Sequence, residues 1–429
     1  MRTRCRLVLF FLTLGACGLG AQSPPSSPPT NTCLDCHLIF EDDEHLGVPA
    51  QLFAGDIHAA RGLTCAACHG GDPREEDSDK SMDPAKGFIG IPKRADIPRL
   101  CAHCHSDAVF MRSYNPRLRT DQLAQYGTSV HGQRLRRGDT RVAVCSDCHG
   151  IHDIRPASAT LSRVHPLRLP QTCAGCHSDR EHMKGHEIPT DQWDEYRASV
   201  HYRTLAGGDL AAPTCATCHG NHGAAPPGVA SVERVCGTCH VFQEQLFDQS
   251  PHKQPWDMME LASCLTCHGN HGIQPTGDFL VGTGEEAFCI NCHLEGDGGW
   301  ETAEKIHAAL VGLDSSLGEA VSLLDQAERA GMDVGEARLV QANARENLIK
   351  ARVDVHAFNA ARVEETVESG LELAAEAHQA GEAALAELAF RRKGLGLSLL
   401  AIAFVVFSLW LLIRHIERGK EEIIYKHEQ

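Results

Sequence analysis

The chain has 429 residues, of which 42% are hydrophobic and only 5% aromatic, and its formal net charge is −16 at pH 7. So acidic a chain is a poor binder of nucleic acid or anionic lipid, since both are negatively charged. The unusual part of the composition is its 20 cysteines and 26 histidines.

The N-terminus has the pattern of an export signal. Three arginines precede an apolar run over residues 7–14, and small residues follow. Two processing sites stay open: cleavage after Ala21, or lipid attachment at Cys17, which ends a lipobox-like Leu-Gly-Ala-Cys sequence. We predict a signal peptide over residues 1–21 and a flexible Pro/Ser linker over residues 22–32.

The pentapeptide Cys-x-x-Cys-His recurs nine times and uses 18 of the 20 cysteines. The two thiols can bond to a porphyrin edge, and the adjacent histidine can ligate the iron as its proximal ligand. Zinc knuckles need no histidine directly after each pair, and disulfides impose no such spacing. We predict nine covalently bound c-type haems. In chain order, motifs 1 to 9 are Cys33-Cys36-His37, Cys65-Cys68-His69, Cys101-Cys104-His105, Cys145-Cys148-His149, Cys173-Cys176-His177, Cys215-Cys218-His219, Cys236-Cys239-His240, Cys264-Cys267-His268 and Cys289-Cys292-His293.

The motifs belong to an internal repeat. Tyr126–Pro156 and Tyr196–Pro226 align without a gap at an offset of 70 residues. Each copy has one histidine upstream of its motif and another three residues after the proximal histidine. Motif 8 has a shorter copy, and motif 2 a degenerate one with Asp72 in place of the second histidine. We therefore expect residues 33–299 to hold one leading haem and four pairs, wrapped by short helices and loops.

The second axial ligand decides whether an iron is closed, as electron transfer favours, or open to a substrate. The repeat offers seven histidines, and His356 leads the other candidates because a lone histidine on a helical seam needs a partner. The predicted distal ligands are His58, His131, His152, His201, His222, His252, His271 and His356. The remaining ligand stays open among His45, His165, His182, His186, His307, His378 and Met111.

The composition becomes helical over residues 300–393, which are rich in Ala and Glu and lack Cys and Pro. Apolar residues recur at three- and four-residue steps, with a turn at 331–335. This pattern predicts a helical hairpin or stalk, whose second helix would be about 85 Å long if continuous over residues 336–392. His356 lies on a heptad seam that runs from Ile349 to Leu388.

The uncharged stretch 394–413 is long enough for one membrane span. The flanking charges are nearly balanced, so the exported haem region decides the predicted orientation, with residues 414–429 in the cytoplasm. The predicted fold class is mainly α with extensive loops.

The sequence resembles the multihaem c-type cytochromes with doubled motifs. The resemblance rests on the nine motifs and on the Cys-His-Gly-x-His variants at His149/His152, His219/His222 and His268/His271. That superfamily includes small periplasmic carriers and the pentahaem and octahaem nitrite, hydroxylamine and tetrathionate enzymes. The helical region and membrane segment are similar to the hydroxylamine-oxidising branch. Two departures count against an enzyme: no motif has Lys in place of the proximal His, and residues 300–392 contain no Tyr for a cross-linked haem.

The surplus of histidines favours an electron carrier anchored in a bacterial cytoplasmic membrane, with its haems in the periplasm. It would pass electrons between a quinol-linked membrane complex and a periplasmic acceptor. The alternative is an oxidoreductase for a small nitrogen or sulfur compound (nitrite, hydroxylamine or tetrathionate) at one open haem. Asp72 makes the haem at Cys65 or at Cys33 the candidate for that open site.

Overall fold

The computed structural model describes residues 31–427 apart from 227 and 230, with side chains up to Arg418. The predicted signal peptide, Cys17 and most of the linker lie outside the described residues. The described part of the chain is mostly helical and contains no strand, which confirms the predicted fold class. It divides into two compact units: residues up to 176 with 222–224, and residues 177–221 with the rest.

The first unit consists of short helices joined by loops, and none of these helices is longer than nine residues. They are α1 (Thr32–His37), α2 (Gly47–Phe53), α3 (Ile57–Ala60), α4 (Ala66–His69), α5 (Ser78–Ser81), α6 (Ile97–His105), α7 (Ala108–Tyr114), α8 (Gln122–Thr128), α9 (Val130–Arg136), α10 (Cys145–His149) and α11 (Leu169–His177), which ends at the unit boundary, with 3₁₀ turns at Pro84–Lys86 and Arg94–Asp96. Few side chains are fully buried in this unit, as expected of a region whose apolar interior is completed by porphyrins.

The second unit begins with similar short helices. They are α12 (Arg180–Met183), α13 (Gln192–Ala198), α14 (Val200–Ala206), α15 (Cys215–His219), α16 (Val241–Asp248), α17 (Lys253–Met258) and α18 (Leu265–His268), with 3₁₀ turns at Val232–Arg234, Cys236–Thr238, Asp278–Leu280 and Phe288–Asn291.

The sequence repeat is also a structural repeat, since α8, α9 and α10 begin 70 residues before α13, α14 and α15. Ser129 and Ser199 cap α9 and α14, and each Oγ accepts a hydrogen bond at 3.1 Å from the backbone N–H three residues on. Tyr126 and Tyr196 each donate a hydroxyl hydrogen bond to a backbone carbonyl 17 residues on, at 2.8 and 2.7 Å. These bonds close the loop between the upstream histidine and the motif.

The second unit ends in three long helices, α19 (Gly298–Arg329), α20 (Gly335–Asp354) and α21 (Ala360–His427). Helices α19 and α21 run parallel, since Gly370 of α21 lies against Leu313 of α19 and Gly381 against Leu323. Helix α20 connects them in the sequence. Leucine, valine and alanine side chains at helical spacing bury almost completely between the helices. Among the most buried are Leu310, Leu313, Leu324, Ala344, Ala351, Val363 and Ala377.

The region predicted as a hairpin is therefore a three-helix bundle, because the second helix is broken. A 3₁₀ turn at Val355–Ala357 follows α20, and Phe358 adopts the left-handed conformation with φ 48°. After the break the predicted seam is buried as expected. Before it, Leu348 and Ala351 face the core in place of Ile349, which is exposed. The break shifts the seam and moves His356 off it.

Helix α21 continues past the bundle through the predicted span. Its Ala360–Arg418 portion is long and apolar enough to cross a membrane, with a mean hydropathy of 2.6 over its most apolar window. That window is not buried against any described part of the protein. One apolar C-terminal helix thus fits a single membrane span.

Candidate haem sites

Helix geometry explains the Cys-His-Gly form of motifs 2, 4, 6 and 8. Helices α4, α10, α15 and α18 end at the proximal histidine, and the next residue has a positive φ that favours glycine. These glycines are Gly70, Gly150, Gly220 and Gly269, with φ of 72°, 89°, 76° and 71°. A Cβ on Gly70 would lie 1.9 Å from the carbonyl oxygen of Gly87. The chain therefore turns sharply, and in motifs 4, 6 and 8 the histidine two residues after the glycine faces the proximal histidine of another motif.

In the described part of the chain, seven proximal histidines face a second histidine. The distance between the two ring centroids is 6.0 Å for His58–His105, 6.0 Å for His69–His152, 6.1 Å for His149–His222, 6.5 Å for His201–His240, 5.9 Å for His219–His271, 6.0 Å for His252–His293 and 6.2 Å for His268–His356. Every pair combines a proximal histidine with one of the predicted distal ligands. Seven repetitions of one arrangement exceed what chance contact between histidines would give.

The pairing has a regular register that the sequence alone did not reveal. Within a repeat copy, the histidine upstream of the Cys-His-Gly motif faces the next motif along the chain, which lacks that glycine. His58 faces His105 in this way, and His201 faces His240. The histidine that follows a Cys-His-Gly motif faces the preceding Cys-His-Gly motif, as His152 faces His69. In the seven described pairs, no histidine of a repeat copy faces the proximal histidine of its own copy.

This register explains both ends of the array. No repeat copy follows motif 8, and there His356 of the bundle faces His268 in place of a repeat histidine. At the other end, Asp72 occupies the position that holds a histidine in the later copies. By the register, a histidine there would face the preceding Cys-His-Gly motif, but motif 2 is the first motif of this form. Asp72 forms ion pairs with Arg74 and Lys86. Its substitution for histidine leaves motif 2 with its facing histidine, because His152 provides it.

Motif 1 differs from the others. Within the described residues, no second histidine ring faces His37. His45, the candidate nearest in sequence, is exposed. Among the other candidates, His307 Nδ1 donates to the carbonyl of Asp278 at 3.0 Å, and His165 Nδ1 accepts from a backbone N–H. For His131 and His177 the second-ligand assignment stays a prediction from the sequence.

A pair of facing imidazoles fits a haem iron. Metal–nitrogen bonds to histidine are about 2 Å long, so a centroid separation near 6 Å leaves room for one metal ion between two ring nitrogens. The described residues hold no group of three or more His, Cys, Asp or Glu arranged around one metal ion. Two axial imidazoles are what an iron needs when a porphyrin fills its other four positions.

Burial favours the protonation state that binds iron. It lowers the pKa of the paired histidines His105, His149, His152, His201, His219, His222, His252, His268 and His356. In most of them a neighbouring imidazole lowers the pKa further, since two positive rings repel. These side chains are thus neutral at pH 7, and a neutral imidazole has the free lone pair that ligation requires.

The Nδ1 atoms of several paired histidines form hydrogen bonds, which leave Nε2 as the nitrogen available to bind iron. His69 and His356 donate to the carbonyl oxygens of Gly90 and Val353 at 2.8 and 3.0 Å. His58 donates to the buried carboxylate of Asp56 at 2.8 Å. Sequence reasoning missed Asp56, although Asp two residues before His is the pattern of a helix cap.

Consecutive attachment sites are adjacent within each unit. In the first unit, the first cysteines of motifs 1 and 2, and of motifs 3 and 4, lie close together. The second cysteines of motifs 2 and 3, and of 4 and 5, also lie near each other. In the second unit the same holds from motif 6 to motif 9. Haem attachment would convert these thiols to thioethers, so the proximity of the cysteines bears on the spacing of the sites and not on acid–base chemistry.

Comparison with known proteins gives one family match. The family model described as Cytochrome c3 matches residues 57–184, a segment that contains motifs 2 to 5. No curated protein and no solved structure matches the chain significantly. The match covers less than half of the chain, and it supports a multihaem electron-transfer cytochrome with covalently bound c-type haems.

Proposed function

We propose that the chain is a membrane-anchored electron carrier with nine c-type haems, located on the periplasmic side of a bacterial cytoplasmic membrane. The observation that carries this proposal is the set of seven facing histidine pairs. An iron with two imidazole ligands keeps its coordination when it gains or loses an electron, so little reorganisation opposes transfer. The bound haems would supply one-electron redox chemistry, and the facing histidines would close seven of the nine proposed sites to other ligands.

The adjacency of consecutive motifs supports sequential transfer within each unit. Motifs 1 to 5 follow one another in the first unit, and motifs 6 to 9 in the second. Within each unit, cysteines of consecutive motifs lie near each other. We infer that, within each unit, electrons pass between haems in the order in which the motifs occur in the sequence.

The bundle constrains the membrane donor. Gly394, where the predicted span begins, comes 34 residues after Ala360, the first residue of α21. A straight helix of that length extends about 50 Å. His356 lies just before α21, so motif 8 is far from the bilayer along this helix. This spacing favours a quinol-linked protein complex that projects from the membrane over direct contact with a quinol dissolved in the bilayer.

The proposal is tested by mass and by topology. The full-length protein, made in a bacterium that attaches c-type haem, should have the mass of the mature polypeptide plus nine haems. Protease added to intact spheroplasts should release the haem-containing region and leave a membrane-protected C-terminal fragment. A lower haem number, or a haem region that protease reaches only after lysis, would contradict the proposal.

One observation favours a second candidate, an oxidoreductase for nitrite, hydroxylamine or tetrathionate at an open haem. Within the described residues His37 faces no second histidine, so motif 1 is the place for such a site, and motif 2 is not, because His152 faces His69. Mixing the dithionite-reduced protein with each compound under anaerobic conditions distinguishes the two functions. A carrier keeps its haems reduced, whereas an enzyme reoxidises them catalytically, and His37→Met should then alter the rate.

A further inference from the structure

Asp56 is a buried carboxylate between two chain segments that hold predicted haem ligands. Its side chain is 1% exposed. One carboxylate oxygen accepts hydrogen bonds from both the backbone N–H and the ring Nδ1 of His58, each at 2.8 Å. The other oxygen accepts from the backbone N–H of Ile154 at 2.7 Å. Three hydrogen bonds thus occupy most of the lone-pair directions of the two carboxylate oxygens, and they hold the Asp56 side chain in place.

Asp56 also reaches a second ligand. Ile154 follows His152 by two residues, and the backbone N–H of Ile57 donates to the carbonyl of Ile154 at 2.8 Å. The negative charge of Asp56 is close enough to act on the His152 ring. His58 faces the proximal histidine of motif 3 and His152 that of motif 2, so one carboxylate lies beside the facing histidines of two consecutive motifs.

The other paired histidines with described Nδ1 partners differ in this respect. Two donate to backbone carbonyls, which carry no net charge. His293 and His271 face carboxylates, but Asp297 lies 3.2 Å away and 42% exposed, and Glu195 lies 3.5 Å away and 46% exposed. Water screens both of these charges. Nδ1 of His252 is buried among aromatic rings without a hydrogen-bond partner.

We propose that Asp56 is a positioning residue that orients His58 and lowers the reduction potentials of the haems at motifs 3 and 2, with the larger effect at motif 3. A carboxylate that accepts the Nδ1 proton makes the imidazole a stronger donor to iron. A buried negative charge also favours the ferric state, which has one more positive charge than the ferrous state, and low local polarity strengthens this effect. The inference rests on the proposed haem ligation.

The test is a spectroelectrochemical titration of the full-length protein and of Asp56→Asn, with Asp297→Asn as the matched control. Asparagine preserves the shape and an acceptor for His58 but removes the charge. We expect Asp56→Asn to move two of the nine redox components to more positive potential, and Asp297→Asn to move a different component by less. The larger shift should belong to the haem that becomes high-spin in His58→Ala. Asp56→Glu, which restores the charge, should return the potentials toward wild type.

Unchanged potentials in an Asp56→Asn protein that retains its haems would overturn the inference. If that variant loses haem, near-infrared magnetic circular dichroism of the wild-type protein decides instead. If the charge-transfer band of one haem is displaced from those of the others, that haem has a strongly hydrogen-bonded ligand, which supports the inference. If all haems share one band position, the inference is overturned. Haem content and spin state, measured first on the wild type, show separately whether the proposed ligation holds.

Discussion

His356 stacks against His268 with ring centroids 6.2 Å apart, and it does so from a break between two helices of the bundle. Phe358, at the same break, adopts φ 48° and packs its ring 3.9 Å from that of His252, the histidine that faces motif 9. A left-handed non-glycine residue costs about 1–3 kcal/mol. The ring contacts of His356 with His268 and of Phe358 with His252 offset this cost, so this end of the bundle packs against the region of motifs 8 and 9.

Replacing His356 by alanine should therefore open one haem. We expect one of the nine haems to become high-spin and to bind carbon monoxide after reduction, as judged by paramagnetic resonance and by the optical spectrum. His378→Ala is the matched control, since His378 lies in the same bundle and faces Glu382 at 3.9 Å. An all-low-spin spectrum of His356→Ala would show that His268 has another partner.

Replacing His152 by alanine should open the haem of motif 2, although His152 belongs to the repeat copy of motif 4. His152 could be a ligand of the haem at motif 2 or of the haem at motif 4. A protein in which Cys145 and Cys148 are replaced by serine distinguishes these two assignments, because its motif 4 carries no haem. The register predicts that His152→Ala still produces a high-spin haem in that background. A high-spin signal that appears with His152→Ala alone and disappears in the combined variant would place the ligand on its own copy.

The sequence predicts features that depend on neighbouring residues better than features that depend on packing. Covalent attachment and proximal ligation depend on adjacent residues, so the spacing of Cys33, Cys36 and His37 and its repeats predicts both without a structure. Most of the facing histidines could be predicted as a set, because the repeat copies them, and His356 is the exception. Their pairing could not be predicted, since it depends on how copies pack and skips from one copy to another. The helix break was also missed, because the heptad pattern continues on both sides of Phe358 with only a one-residue change of register.

Two glycines of the bundle should respond to alanine in opposite ways. A Cβ on Gly381 would lie 2.9 Å from Cβ of Leu323, which is too close, so Gly381→Ala should destabilise the bundle by about 1–3 kcal/mol. A Cβ on Gly312 would meet nothing within 4 Å, so Gly312→Ala should stabilise it by about 0.5–1 kcal/mol through helix propensity. Thermal unfolding followed by far-ultraviolet circular dichroism measures both. Equal effects of the two substitutions would mean that α19 and α21 do not pack closely at Gly381.

The far end of the bundle should lose stability in acid. The hydrogen bond from Arg338 holds the pKa of Asp325 below its usual value. Because the pKa in the folded state is the lower one, the stabilisation is fully present above the unfolded-state pKa of about 4 and is lost as the pH falls through the folded-state value. Asp325→Asn should therefore lower the unfolding temperature at pH 7 and have little effect near pH 2. A constant difference across this range would rule out the ion pair as the cause.

The most direct test of the central claim, that facing histidines close the haem sites of an electron carrier, is a carbon monoxide titration of the dithionite-reduced protein. The seven described pairs predict that at least seven of the nine haems retain their spectrum at saturating carbon monoxide and remain low-spin when oxidised. Uptake by one haem, abolished when motif 1 is removed by Cys33→Ser and Cys36→Ser, would locate an open site at His37. Uptake by three or more haems would contradict the account, because at least one facing pair would then not be a ligand pair.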